Sequence, residues 1–238
     1  MGHNSSLAIS TGLESEAPAG RRMPLSRTEL LLLLETVVGY GLIMTTLWAG
    51  TNWKRPLFWS SAAWFLLWTL VAAWRKDFQG LRGFKLPSLR VWAVLIGCSA
   101  MLAVSLMYIA ARLGTLHGLF GTRDPLLHAG GYIFWAIVQQ YIQQAFFFAR
   151  FEQLTQNGLL AGFMAAFLFG VAHLPNPVLA PITFLGGWVL SELFRRYRSV
   201  IPLGIGHGLV GLAIALSVPD HIQHHMRVGL SYLHYVVR

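Results

Sequence analysis

Residues 128–151 read HAGGYIFWAIVQQYIQQAFFFARF, an otherwise apolar segment that carries four glutamines and an arginine. A helix needs roughly 20 mostly apolar residues to cross the hydrocarbon core of a bilayer. Polar side chains at that depth are costly, and they usually face the bundle interior, a cavity or one another. The segment therefore predicts a membrane-spanning helix and, on one side of it, a candidate polar site.

The composition of the whole chain agrees with a membrane protein. Of the 238 residues, 55% are hydrophobic and 11% are charged, and the mean hydropathy is +0.55, which excludes an ordinary soluble domain. Further candidate spans lie at 29–50, 57–74, 91–112, 158–173, 177–194 and 200–218. We predict an all-α polytopic membrane protein, a bundle of seven transmembrane helices, or eight if the C-terminal residues form another.

Four regions follow along the chain. Residues 1–28 are rich in Ser, Gly, Ala and charge, and we expect a disordered cytoplasmic tail. Residues 29–127 carry few polar groups within their spans and predict scaffold helices. Residues 128–218 contain the histidines and glutamines and predict core helices with the candidate site. Residues 219–238 predict an amphipathic or eighth helix.

The formal charge of +9 suggests a membrane surface rather than nucleic acid. The basic residues lie in the connections between spans, where anionic lipid and the positive-inside rule account for them. With the N-terminus inside, the inside segments carry 11 Lys and Arg and the outside segments 6. We therefore expect an integral protein of a bacterial cytoplasmic membrane, with its N-terminus inside, membrane lipid as a partner and no nucleic acid.

A helical wheel places the polar residues of the opening segment together. At about 100° per residue, Gln139, Gln140, Gln143, Gln144 and Arg150 share one arc. Interhelical hydrogen bonding alone would explain glutamines in a span, and Arg150 could simply extend towards the inner membrane face. Four glutamines on one arc favour a site that binds substrate or water.

Two histidine motifs follow. In FLFGVAHLPNP, Phe169 and His173 lie one helical turn apart and Pro175 ends the helix. In PLGIGHGLVG, glycines surround His207 and would allow neighbouring backbones to approach closely. At roughly 1.5 Å per residue, a turn near Asn157 would bring His173 level with the glutamines, and we expect one shared cavity.

Together these motifs resemble the CPBP family, the CAAX proteases and bacteriocin-processing enzymes, which are intramembrane proteases. The family pattern is a glutamate pair followed after three residues by arginine, then Phe-x-x-x-His, then a further histidine usually followed four residues later by Asn or Asp. Arg150, the Phe169–His173 motif and His207 match this pattern in order and spacing. The resemblance covers about residues 128–218.

Two positions depart from the pattern. The glutamate pair is replaced by Ala145 and Phe146, with Gln143 and Gln144 the nearest polar residues, and Gly211 stands four residues after His207. In the family, a glutamate is thought to activate the attacking water. Glutamine cannot accept a proton as a carboxylate does, so the base would have to be another group. Candidates are the histidines and, less favoured, Glu35, Glu152 and Glu192.

The resemblance implies hydrolysis of a peptide bond in a membrane or C-terminal protein substrate, near the inner membrane face. We predict His173 and His207 as catalytic residues. The residues that we predict to bind substrate or the oxyanion are Gln140, Gln143, Gln144, Arg150 and Asn176. We expect no cofactor and no metal ligands, with a divalent metal at the histidines left open.

Two other functions stay open at this point. The chain could be an inactive family member that binds a membrane peptide in the same cavity. It could also form a small-solute or proton pathway. The C-terminal histidines His221, His224 and His225 predict a solvated cluster rather than a metal site.

Overall fold

The computed structural model describes residues 26–74, 83, 86–118 and 124–236. Most of the predicted tail and much of the basic connection after the second span lie outside these residues. The described part is mostly helical and contains no strand, which confirms the all-α class. The long helices are α1 (Arg27–Trp48), α2 (Thr51–Trp74), α3 (Leu89–Leu113), α4 (Pro125–Gln140), α6 (Gly158–Val171), α7 (Leu179–Tyr197) and α8 (Val200–Ser217).

Among the described helices, four are long and apolar enough to cross a membrane: α1, α2, α3 and α8. Large apolar side chains cover the outer faces of α1, α2 and α3, where Val37, Leu66 and Val104 are 59–66% exposed, whereas α8 is mostly buried. Polar groups lie inside instead, and Gln140, Gln143 and Gln144 are at most 2% exposed. Apolar side chains outside and polar side chains inside are the reverse of the arrangement in soluble proteins, as expected for a protein surrounded by lipid.

The opening segment forms one continuous helix with an irregular centre. After α4, residues Tyr141–Phe148 form a π-helix, and α5 (Ala149–Thr155) continues from it in helical conformation. In a π-helix the hydrogen bonds run from i to i+5, so each residue turns the chain through a smaller angle than in an α-helix. Side chains after this stretch therefore point away from where a regular helix would place them.

Aromatic packing holds this helix at the centre of the bundle. Phe146, Phe147 and Phe148 are all buried. The ring of Phe146 meets Phe65 of α2 edge-on at 4.9 Å, and the ring of Phe148 meets Phe194 of α7 at 5.6 Å. The apolar side of the segment is thus packed against protein rather than turned to lipid.

Glycines bring α8 close to its neighbours. A Cβ at Gly204 would lie 2.5 Å from the Cα of Ile137, and one at Gly208 would lie 3.0 Å from the Cα of Ile133. Both isoleucines belong to α4, so the glycines one turn apart form the surface on which α4 rests. This close approach of two backbones was expected from the glycines around His207.

The turn between α5 and α6 lies where the sequence placed it. Gln156 adopts a left-handed conformation, and the side chain of Asn157 caps α6 by accepting hydrogen bonds from Leu159 N and Leu160 N. Because Asn157 supplies an acceptor for the first free amides of the helix, α6 can begin immediately after the turn.

The C-terminal residues do not form the single helix predicted for 219–238. Residues 219–236 contain two one-turn helices, α9 (Asp220–Gln223) and α10 (Leu230–Leu233). Between them His224, His225 and Met226 have φ of 49°, 51° and 58°, a conformation that ends a right-handed helix. The segment folds back onto the bundle, where Gly229 N donates to Leu174 O at 2.8 Å.

The packing of α8 can be tested with two glycine variants. Gly204→Ala places a methyl group against the α4 backbone, and we expect a loss of about 1–3 kcal/mol in the free energy of unfolding. Gly97→Ala, in α3, meets nothing within 4 Å and is expected to be neutral or to stabilise by about 1 kcal/mol. Thermal unfolding in detergent measures both, and equal stability of the two variants would contradict the close contact.

Candidate functional site

Helices α6 and α8 bring the two predicted catalytic histidines together. His173 follows the end of α6, His207 lies in the middle of α8, and the Phe169 ring lies between them. The ring centroid of Phe169 is 4.7 Å from that of His173 and 5.6 Å from that of His207. Both histidines line one cavity of about 640 Å³, together with Gln139 and Gln143.

A hydrogen bond to the backbone determines which ring nitrogen of His173 carries the hydrogen. Its Nδ1 lies 2.7 Å from the carbonyl oxygen of Phe169. A carbonyl can only accept, so Nδ1 carries the hydrogen, and in the neutral ring Nε2 has a free lone pair. Among the described residues Nε2 has no hydrogen-bond partner. His173 is therefore arranged as a proton acceptor.

A chain of buried amides starts at a backbone carbonyl. Gln143 Nε2 donates to Gly187 O at 3.1 Å, and this acceptor fixes the orientation of the Gln143 amide. Its Oε1 consequently accepts from Gln140 Nε2 at 3.0 Å. Gln140 Oε1 in turn accepts from Gln144 Nε2 at 3.2 Å. One carbonyl oxygen thus sets the direction of three glutamines.

This series of hydrogen bonds also determines which ring nitrogen of His207 carries the hydrogen. Gln140 Nε2 lies 3.0 Å from His207 Nδ1, and an amide nitrogen can only donate. Nδ1 is therefore the acceptor, and the neutral ring carries its hydrogen on Nε2. The two histidines thus have opposite characters, a lone pair on His173 Nε2 and a hydrogen on His207 Nε2.

The cavity that holds them is mostly apolar. Among the described residues that line it, no side chain carries a formal charge, and the polar ones are Ser99, Tyr132, Gln139, Gln143, Thr183 and the two histidines, besides Tyr40 and Cys98. Met226 and Val228 of the C-terminal segment also belong to the lining. The cavity can therefore hold an apolar ligand and offers polar contacts at one place.

Arg150 does not join the glutamines. Its Nε and Nη2 lie 2.9 and 2.8 Å from Glu35 Oε2, and its Nη1 donates to Phe146 O at 3.1 Å. The prediction assumed 100° per residue throughout, and the π-helix between Gln140 and Arg150 removes that regularity. The arginine instead joins α5 to α1, through the tertiary contact that the sequence left open for Glu35.

Asn176 is also engaged elsewhere. It is fully buried, and its Nδ2 donates to the carbonyls of Gln223 and Arg227 at 2.8 and 3.0 Å. Its Oδ1 accepts from Val178 N and Leu179 N at 3.1 and 3.0 Å. These four bonds anchor the C-terminal segment and the start of α7, and they leave no group for a substrate.

Gln144 lies behind Gln140 and does not line the cavity. Its Oε1 is buried and has no hydrogen-bond partner among the described residues. Of the five residues predicted to bind substrate or oxyanion, only Gln143 lines the cavity. Gln140 contacts His207, which lines the cavity, through a hydrogen bond. The sequence analysis did not identify Tyr132 or the carbonyl of Gly187 as parts of the site. The one signal for Tyr132 was Gly211, since a residue without a side chain leaves room for a neighbouring ring.

The described carboxylates are all engaged outside the cavity. Glu152 pairs with Arg198 at 2.6 Å, and Glu192 pairs with Arg195 at 2.7 Å. Asp124 caps α4, Glu29 belongs to the capping box of α1, and Asp220 accepts from His225 N. Neither Glu152 nor Glu192 is placed to act as the base.

The donors at the site fit a metal poorly. A catalytic zinc site uses three protein ligands from His, Asp, Glu or Cys, and no group of three such residues gathers within the described ranges. Nδ1 of each histidine is already hydrogen-bonded. Two Nε2 atoms in an uncharged cavity are an incomplete ligand set.

The apolar helices and the cavity lined by histidines and glutamines define a polytopic membrane protein with a polar site among apolar helices. Residues 122–213 match the family described as Type II CAAX prenyl endopeptidase Rce1-like. The match covers under half of the chain and confirms that this part resembles the CPBP family. Together with the apolar helices, it supports a CAAX-protease-like membrane protein. Neither the curated proteins nor the solved structures gave a significant match.

The structural role of Arg150 can be tested through its partner. Glu35→Gln removes the carboxylate that pairs with the largely buried Arg150, and we expect a loss of about 3 kcal/mol in the free energy of unfolding. Glu192→Gln, in an exposed pair, should change it by less than about 1 kcal/mol. Thermal unfolding in detergent compares the two variants. Wild-type stability of Glu35→Gln would show that the ion pair with Arg150 does not hold α5 to α1.

Proposed function

We propose that the protein hydrolyses a peptide bond of a membrane-embedded or C-terminal peptide, with His173 as general base and His207 as the donor to the oxyanion. The observation that carries the proposal is the opposite character of the two Nε2 atoms at one cavity. A hydrolytic site needs one group to take a proton from water and another to stabilise the developing negative charge. The His173–His207 pair offers both without a carboxylate.

Hydrolysis would proceed through a tetrahedral intermediate. His173 Nε2 accepts a proton from water as the oxygen attacks the substrate carbonyl carbon, and the carbonyl oxygen becomes an oxyanion. His207 Nε2–H donates to that oxyanion. When the carbon–nitrogen bond breaks, the proton on His173 passes to the leaving amine, and the products are a carboxylic acid and an amine.

Gln143 has a supporting role in the proposal. One hydrogen of its Nε2 is used by Gly187 O, and the other is available to a carbonyl or water in the cavity. Gln140 keeps His207 in the tautomer that donates from Nε2. The glutamines thus orient groups and hold the substrate, and neither is the base.

The apolar lining favours an apolar substrate segment. The matching family is described as a CAAX prenyl endopeptidase, and a prenylated peptide would combine an apolar chain with a peptide. We propose that a peptide with an apolar side chain or a prenyl group enters the cavity, and that membrane lipid surrounds the bundle.

The fold bears on two predictions about the membrane: that the N-terminus lies inside, and that the site lies near the inner face. Residues 26, 157 and 199 precede α1, α6 and α8, whereas His173 and the C-terminal segment lie at the opposite end, where Gly229 N bonds to Leu174 O. An N-terminus inside and a site near the inner face are therefore incompatible. We keep the N-terminus inside, because the basic residues favour it, and propose a site that extends from His207 in the middle of the membrane to His173 in its outer half.

Cleavage by variants tests the proposal directly. The probe is a fluorogenic peptide with an apolar C-terminal segment, offered to purified protein in liposomes with and without a farnesyl group on its cysteine. We expect His173→Ala to lower kcat about 10²–10⁴-fold, because the general base is lost. His207→Ala should lower kcat about 10²–10³-fold, because the oxyanion loses a donor.

The matched control is His221→Ala, which removes an exposed histidine outside the cavity and should cleave at the wild-type rate. Peptide that binds to the wild-type protein without being cut would contradict the enzymatic proposal and favour the inactive, peptide-binding alternative. Proton or solute flux through protein-containing liposomes, persisting in both histidine variants, would favour a pathway unrelated to these residues.

Metal independence is a separate prediction. Because the proposed base and donor are both imidazole nitrogens, cleavage should survive prolonged incubation with a chelator and should not rise when Zn²⁺ is added. Loss of cleavage on chelation, with recovery on adding Zn²⁺ back, would show that the histidines act as metal ligands instead.

A further inference from the structure

Tyr132 occupies a place that the family pattern gives to another residue. The pattern has Asn or Asp four residues after the last histidine, and this chain has Gly211 there. A Cβ built at Gly211 would lie 3.0 Å from Cζ and 2.9 Å from Cε1 of Tyr132, and still closer to its hydroxyl. The phenol thus fills the space that a side chain at position 211 would need.

The position places the hydroxyl beside the proposed site. Gly211 lies one helical turn beyond His207 on α8, so the two residues share a face of that helix. Tyr132 lies on α4, seven and eight residues before Gln139 and Gln140, which again is one helical face. Tyr132, Gly211, His207 and Gln139 all line the same cavity.

The Tyr132 hydroxyl has no structural task that would explain it. Among the described residues it forms no hydrogen bond, although a hydroxyl can donate one and accept two. The Tyr132 side chain is only partly buried, and it lines the cavity beside Gly211 and His207. A hydroxyl that faces the cavity without a partner is available to a ligand.

We propose that Tyr132 is a further substrate-binding residue, whose hydroxyl donates a hydrogen bond to a carbonyl of the bound peptide from the space left open by Gly211. The inference rests on the proposed function, since it names another contact at the same site. It also explains the departure from the family pattern at Gly211, because Tyr132 on α4 would supply the polar group that α8 lacks at this position.

The first test is Tyr132→Phe, which removes only the hydroxyl. We expect affinity for the fluorogenic peptide, and kcat/KM where cleavage occurs, to fall about tenfold, as for one lost hydrogen bond. Thermal stability should not change, because no protein group loses a partner. Tyr197→Phe, at an exposed tyrosine outside the cavity, serves as the matched control and should change neither quantity.

The second test moves the polar group from position 132 to position 211. Gly211→Asn alone should lower the melting temperature, because the new side chain collides with the phenol. Tyr132→Ala together with Gly211→Asn removes the collision and returns an amide to the same place. The double variant should bind the peptide more tightly than Tyr132→Ala alone.

The outcomes separate this inference from the proposed function. Wild-type protein that binds the peptide without cutting it, while Tyr132→Phe binds tenfold more weakly, contradicts hydrolysis and supports the role of Tyr132. Equal binding by wild type and Tyr132→Phe overturns the role of Tyr132 and leaves hydrolysis intact. A fall in the stability of Tyr132→Phe would assign the hydroxyl to the fold, and wild-type protein that binds no peptide would overturn both.

Discussion

The arrangement of the bundle centre depends on the hydrogen bond from Gln143 to the carbonyl of Gly187. An unpaired amide in a membrane interior is costly, so three buried glutamines on one helix have to satisfy one another or a neighbouring helix. Gly187 makes this possible because it has no side chain. A Cβ at this position would lie 2.7 Å from Gln143 Nε2. The absence of a side chain on α7 thus lets an amide of the central helix reach its backbone and begin the chain that ends at His207.

The sequence predicted the helical class and the meeting of the glutamines with the histidines, because both depend on features that a single sequence displays. Hydropathy identifies spans, and the turn at Asn157 sets the depth of His173 relative to Gln143. Arg150 could not be placed in the same way. Its direction depends on the π-helix at 141–148, and no local residue preference distinguishes that stretch from a regular helix. The partner of Arg150, Glu35, lies 115 residues away in sequence.

Asn176 illustrates a second limit. Its neighbours in sequence, two prolines and a histidine, suggest a functional loop, but its hydrogen bonds go to the carbonyls of Gln223 and Arg227. Those residues were expected in a helix, where their carbonyls would have bonded within the segment. Because the left-handed residues 224–226 end that helix, the carbonyls need another donor, and Asn176 supplies it. The role of a polar side chain therefore followed from a distant break in helical structure.

A glutamine rather than a carboxylate at position 140 has a consequence for the two histidines. A carboxylate at position 140 could only accept, and His207 Nδ1 would then have to carry the hydrogen. Nε2 of a neutral His207 would face the cavity as a lone pair, the same character as His173 Nε2. The Gln140 amide donates instead and places the hydrogen on Nε2. The glutamine thus makes the two histidines different from each other, and a site without a carboxylate retains both an acceptor and a donor.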